Sequence, residues 1–183
     1  MSDGFTLSAY ADLLDAIDDG GYEALTVREY IVSENLPKRF VVFRHDVDRL
    51  PRLALRMARL EAEYGVQSTY YYRTTTFDPE MTRLVAKLGH EVGYHYEDYV
   101  RTDGDLTAAH RRFQANLEQF RERHTEPIDT VCMHGNPLSP HDNREMWTTP
   151  GSPDPESYGL YGEAYLAMDF VDVTYFSDTG RTW

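Results

Sequence analysis

The stretch VVFRHDVDR, at 41–49, places Arg44, His45, Asp46 and Asp48 directly after an apolar run. Charged groups packed this tightly at the edge of a core need partners, because an unpaired buried charge is strongly unfavourable. In an extended strand Arg44 and Asp46 share one face, Asp48 joins them if the extended form continues, and His45 faces the other way. Carboxylates on one face can divide two tasks. One ligates a divalent cation while its neighbour takes a proton from nearby water.

Further groups of the same kind recur along the chain. Arg73 follows STYYY, His95, Glu97 and Asp98 fall in GHEVGYHYED, His134 and Asn136 in MHGN, and Asp178 in SDTG. Asp oxygen and His nitrogen together suit zinc and related ions. Each residue also has a plainer reading. Asp48 suits a helix N-cap, and Asp46 can bridge to Arg44. His90 or His95 reads alone as a satisfied core histidine, His110 and His124 as surface residues, and Tyr70, Tyr71 and Tyr72 as strand core. What favours chemistry is that each predicted strand ends in such a group.

The elements that would position them alternate. The pattern predicts an opening helix with Leu7, Tyr10, Leu14 and Ile17 on one face, stopped at Gly20-Gly21, and a short helical piece at 27–33. Strands are predicted at 41–45, 66–73, 90–96, 130–134 and 172–176. Between them fall a helix with Leu50, Leu53, Met57, Leu60 and Tyr64 inward, one opening at Asp78-Pro79 with Met81, Leu84, Val85 and Leu88 inward, and one capped by Asp103 or Asp105. The last carries Leu106, Ala109, Phe113, Leu117 and Phe120. Residues 136–161 read as a long loop with one helical turn. Repeated strand–helix units imply parallel strands with right-handed crossovers, and ligands gather at the carboxyl ends of such strands.

Composition sets the class. The 183 residues suit one domain (1–183), with an N-terminal helical part at 1–38 and the strand–helix part at 39–178. The formal charge is −13, from 17 Asp and 14 Glu against 16 Arg and 2 Lys, which disfavours nucleic acid and anionic membranes. Lysine depletion with abundant Asp resembles proteins of salt-loving cells. A single Cys132 excludes an internal disulfide and a Cys-cluster zinc site. With no apolar run of membrane length and an acidic start, the expectation is a cytoplasmic protein.

HDVD, GHEVGYH and the intervening ST-Y-Y-Y-R together resemble the polysaccharide deacetylase family, the NodB-homology domain, over roughly 39–178. The N-terminal helix and MHGNPLSPHDN look like an uncharacterised branch. The resemblance implies a distorted (β/α) barrel, incomplete at its C-terminus, that removes acetyl groups from carbohydrate with a divalent metal, zinc foremost. Asp46 matches the family's base and Asp48 its metal-ligating aspartate, with Val47 between them where many members have adjacent aspartates. His95 matches the first ligating histidine. The second falls at Tyr99, so His134 is the expected replacement and Glu97 the next. Arg44 or Arg73 would orient the base, and Glu97, Tyr99 and Asn136 would face substrate. The final strands that supply the family's general acid have no counterpart, leaving His141 as a candidate on its chemistry. Two alternatives stand beside the hydrolase: a relative that binds sugar or metal without catalysis, and an assembly partner in a homo-oligomer.

Overall fold

The computed structural model describes residues 6–177. Asp178, expected to follow a last strand, lies outside them. Helix α1 (Leu7–Asp19) starts at Thr6, whose hydroxyl accepts from the Ala9 amide, and buries Tyr10 and Leu14. Strand β1 (Glu23–Leu25) leads into α2 (Val27–Val32), which is closed by a capping box between Thr26 and Glu29. Strand β2 (Phe40–Val42) then pairs in parallel with β1, a small sheet that sequence periodicity did not reveal.

The predicted strand at 41–45 is two strands. At Phe43 the chain changes partner: its amide donates to Leu25 while its carbonyl accepts from Thr69. Strand β3 (Arg44–Val47) thus opens a second sheet. It is followed by α3 (Pro51–Glu63), β4 (Thr69–Tyr72), α4 (Pro79–Lys87), β5 (Glu91–Tyr96), the short α5 (Asp98–Arg101), α6 (Leu106–Arg123) and β6 (Thr130–Met133). Helix α7 (Glu145–Thr148) and a 3-10 turn at Pro155–Tyr158 interrupt the long loop, before β7 (Gly162–Glu163) and α8 (Ala164–Ala167). Strands β3 to β7 form one five-stranded sheet in that order, with every pairing parallel. The protein is therefore α/β, a parallel sheet flanked by helices.

Alternation divides the sheet's faces. Val47, Tyr70, Tyr72, Val92, Tyr94, Tyr96 and Val131 pack against Ala54, Leu55 and Ala58 of α3, Val85 of α4, and Phe113, Leu117 and Phe120 of α6. The opposite face carries Tyr71 and Cys132, covered by Val27 of α2 and Ala164 of α8. Tyr71 lies flat against the sheet because its neighbour in β5 is Gly93, where a Cβ would come within 2.3 Å of the Tyr71 ring and 2.8 Å of the Thr130 carbonyl.

Four expectations are corrected, the first being Leu84 of α4, which is exposed rather than inward. Helix α3 buries Ala54, Leu55, Ala58 and Glu61, whereas Leu50, Leu53 and Tyr64 are exposed; Met57 and Leu60 turn instead towards α1. The inward face is rotated because the Glu61 carboxylate, rather than a larger apolar group, fills the space against the sheet, where it accepts hydrogen bonds from Tyr10 and Tyr70. Residues 172–176 form no strand, and Val171 and Phe176 are largely exposed; the fifth strand of the sheet is β7. His124 is buried rather than a surface residue, beside Phe77. Among the described residues, no helix is long and apolar enough to cross a membrane.

Candidate metal centre

The carboxyl ends of β3, β5 and β6 bring Asp48, His95 and His134 together. Asp48 is free to take part because it caps nothing: α3 begins after Leu50, held at φ 53°, with no side-chain cap. The chain turns sharply instead, the Asp48 amide donating to the Asp46 carbonyl at 3.0 Å. Asp48 Oδ1 then lies 3.0 Å from His134 Nδ1 and 3.5 Å from His95 Nε2, and the two imidazole nitrogens are 3.3 Å apart. Although so near both rings, this oxygen is buried and makes no hydrogen bond of ordinary geometry. Burial pushes the Asp48 carboxyl up, but the two imidazoles, in their protonated form, outweigh it and hold the group well below the usual carboxylate range.

His95 is 2 % exposed, and its tautomer is set from behind. Nδ1 lies 2.9 Å from the Cys132 carbonyl, a group that can only accept, so the neutral ring carries its proton there and presents a bare Nε2 to Asp48. His134 is tied at its backbone. Its amide donates to the Tyr96 carbonyl at 2.7 Å, and its own carbonyl accepts from Asn143 Nδ2 at 2.8 Å. Asn143 is 1 % exposed and also accepts from the Val100 amide, so it fastens α5 to the loop after β6. Buried Glu163 accepts from the Met133 amide, one residue before His134, and from Tyr165 and Leu166; burial pushes its carboxyl up to about 7.

One carboxylate and two imidazoles with an unsatisfied oxygen between them fit a divalent cation, and their donor atoms lie within 4.8 Å of one another. A second group, Asp46, His95 and Cys132, meets the same distance. Asp46 Oδ2 is 4.0 Å from His95 Nε2, close to the cluster but apart from its tightest contacts.

The arginine on Asp46 is Arg44, at 3.3 Å, as strand alternation implied. Arg44 also donates to the Tyr165 hydroxyl at 2.6 Å and the Tyr175 hydroxyl at 3.3 Å, fixing the guanidinium from two further directions. Arg73 binds Glu97 with distances of 3.0 and 2.9 Å to its two oxygens, and Arg101 reaches the same carboxylate. Burial raises the Glu97 carboxyl, yet these two guanidiniums bring it down on balance.

Tyr99 packs edge-on against His141, with Glu145 beside it. His141 in turn lies 3.6 Å from Asp103. Asn136 is exposed and its side chain accepts from the Leu138 amide, shaping the loop after β6. His45 faces the other side of the sheet and binds Glu61 at 2.6 Å, while His90 is a satisfied core histidine held between the Ser68 amide and the Ala58 carbonyl.

Sequence reasoning gave no site role to Cys132, Asn143, Glu163 or Tyr165. Cys132 carried one signal, its place two residues before His134 on a predicted strand. Asn143 sits in the long loop, and Glu163 and Tyr165 lie on elements too short to carry a period. No family model matches the chain, and neither does any curated protein or solved structure.

Proposed function

We propose that the chain is a metal-dependent, polysaccharide deacetylase-like hydrolase acting on N-acetylated carbohydrate, with zinc as its ion. The observation that carries this reading is the meeting of Asp48, His95 and His134 at the carboxyl ends of parallel strands, with Asp46 beside them. It is the ligand set that the HDVD and GHEVGYH motifs imply, with His134 in the role otherwise expected at Tyr99. The barrel is part of the same proposal. Strand order rises from β3 to β7 without reversal, as in barrels and unlike doubly wound sheets.

Bound by Asp48, His95 and His134, zinc would supply a Lewis acid and water acidified towards neutrality. Asp46 would take the proton of the attacking water. Arg44, anchored by Tyr165, holds that carboxylate in place. The Cys132 carbonyl keeps the His95 lone pair directed into the site. The net charge of −13 favours a neutral glycan over an anionic one.

The test pairs metal analysis with acetate release from N-acetylated chito-oligosaccharides. Zinc at one equivalent, lost in His95→Ala and weakened in Asp48→Asn and His134→Ala, with acetate release abolished by Asp46→Asn, supports the hydrolase. Zinc retained without acetate release supports a relative that binds and does not cleave. Absence of metal binding removes both.

A further inference from the structure

The second donor group shares His95 with the first but adds a sulfur. We infer that Cys132 supplies a thiolate ligand at an inner cation position, formed with Asp46 and His95, which alternates with the outer position of Asp48, His95 and His134. The inference rests on the proposed metal site and says where in it the ion can move and which ions it prefers.

Geometry makes the two positions alternatives. Donor atoms of Asp46, His95 and Cys132 lie within 4.8 Å of one another, as do those of the outer group. Since Nδ1 of His95 is bound to the Cys132 carbonyl, Nε2 is the nitrogen left for either ion, and one lone pair serves one ion at a time. The inner position lies deeper. Cys132 is fully buried in the middle of the strand next to β5, in register with His95, whereas the Asp48 side chain is 45 % exposed.

Charge also closes around it. Asp46, Asp48 and a Cys132 thiolate carry three negative charges, and a divalent ion with Arg44 carries three positive ones. Arg44, 3.3 Å from Asp46, thus offsets the anion that a two-carboxylate, one-thiolate set would otherwise leave uncompensated in a buried place. Binding breaks the Cys132 S–H bond and forms a sulfur–metal bond. The thiol donates to the Met133 carbonyl at 3.7 Å, and on binding its proton passes by way of the neighbouring Asp46 carboxylate to solvent. A soft sulfur donor selects zinc, cadmium or cobalt over magnesium and manganese.

The experiment titrates the full chain with cobalt(II) chloride, following bound cobalt by equilibrium dialysis and the near-ultraviolet sulfur-to-cobalt charge-transfer band. Wild type is expected to show the band and Asp48→Asn to keep it. Cys132→Ser, nearly isosteric and checked for folding by circular dichroism, should still bind cobalt but lose the band. Its cadmium affinity should fall roughly tenfold or more, the scale on which even outer partners of a metal matter, with manganese affinity unchanged. Cobalt bound to wild type without the band, or a band surviving in Cys132→Ser, overturns the inner position while leaving the metal centre intact. No cobalt bound to wild type overturns the metal centre and the inner position together.

Discussion

His95 donates from Nδ1 to the backbone carbonyl of Cys132, 2.9 Å away on the neighbouring strand, and this one bond decides which nitrogen faces Asp48. The proton of the neutral ring should therefore be found on Nδ1. Long-range proton–nitrogen NMR at pH 8 reads this directly, and a proton on Nε2 would sink the assignment. His95→Gln, which keeps bulk but not the directed lone pair, should weaken zinc about 10- to 100-fold.

Tyr71 and Gly93 form a second matched pair. A methyl group at 93 has no room, with the Tyr71 ring at 2.3 Å and backbone at 2.8 Å. We expect Gly93→Ala to cost about 1–3 kcal/mol in urea unfolding, the usual scale of overpacking. The cost should shrink in a Tyr71→Ala background, which takes away the ring. Equal penalties in both backgrounds would mean that the ring is not what Gly93 makes space for.

Asp98 gives a pH signature. Burial lifts its carboxyl from 3.8 to about 6, against the lowering effect of Tyr94, Arg112 and Asn116. A carboxyl raised on folding stabilises the fold in its protonated form. That contribution is complete below about pH 4 and is lost as pH rises through about 6, amounting to about 3 kcal/mol at most. Asp98→Asn should flatten stability between pH 4 and 7 while leaving zinc binding unchanged. An unaltered pH profile in the variant would falsify this assignment.

Glu61 behaves in the opposite sense. Burial raises its carboxyl, but His45, Tyr10 and Tyr70 bring it below its ordinary value. Its contribution is present above the unfolded pKa and disappears as pH falls through the folded one. Glu61→Gln should cost roughly 3 kcal/mol at neutral pH, the scale of breaking a buried pair, and should weaken acid unfolding's dependence on pH. A variant as stable as wild type at pH 7 would show that the cluster adds nothing.

Much of this arrangement was legible in the sequence, and the exceptions share a cause. Alternation placed Arg44 and Asp46 on one face and His45 on the other, and His134 was the expected partner for Asp48 and His95. Asp48 read equally well as a helix cap, because capping and ligation call for the same short carboxylate; only the left-handed turn at Leu50 separates them. The inward face of α3 was misjudged because hydrophobic spacing cannot register a buried glutamate satisfied by tyrosines. Strand β7, two residues long, carries no period at all, while 172–176 has the composition of a strand but no partner among the described residues.

Helix α2 starts against the opposite end of the sheet from Asp48, His95 and His134. Its first amides donate to the Thr69 hydroxyl and the Glu91 carboxylate, at the beginnings of β4 and β5, and Arg28 binds Asp129 just before β6. The segment before β2 thus covers the end of the sheet opposite the site, its amides held by side chains of β4 and β5. On the proposed reading, a glycan would approach Asp46 from the carboxyl ends of the strands and lie across them rather than thread through.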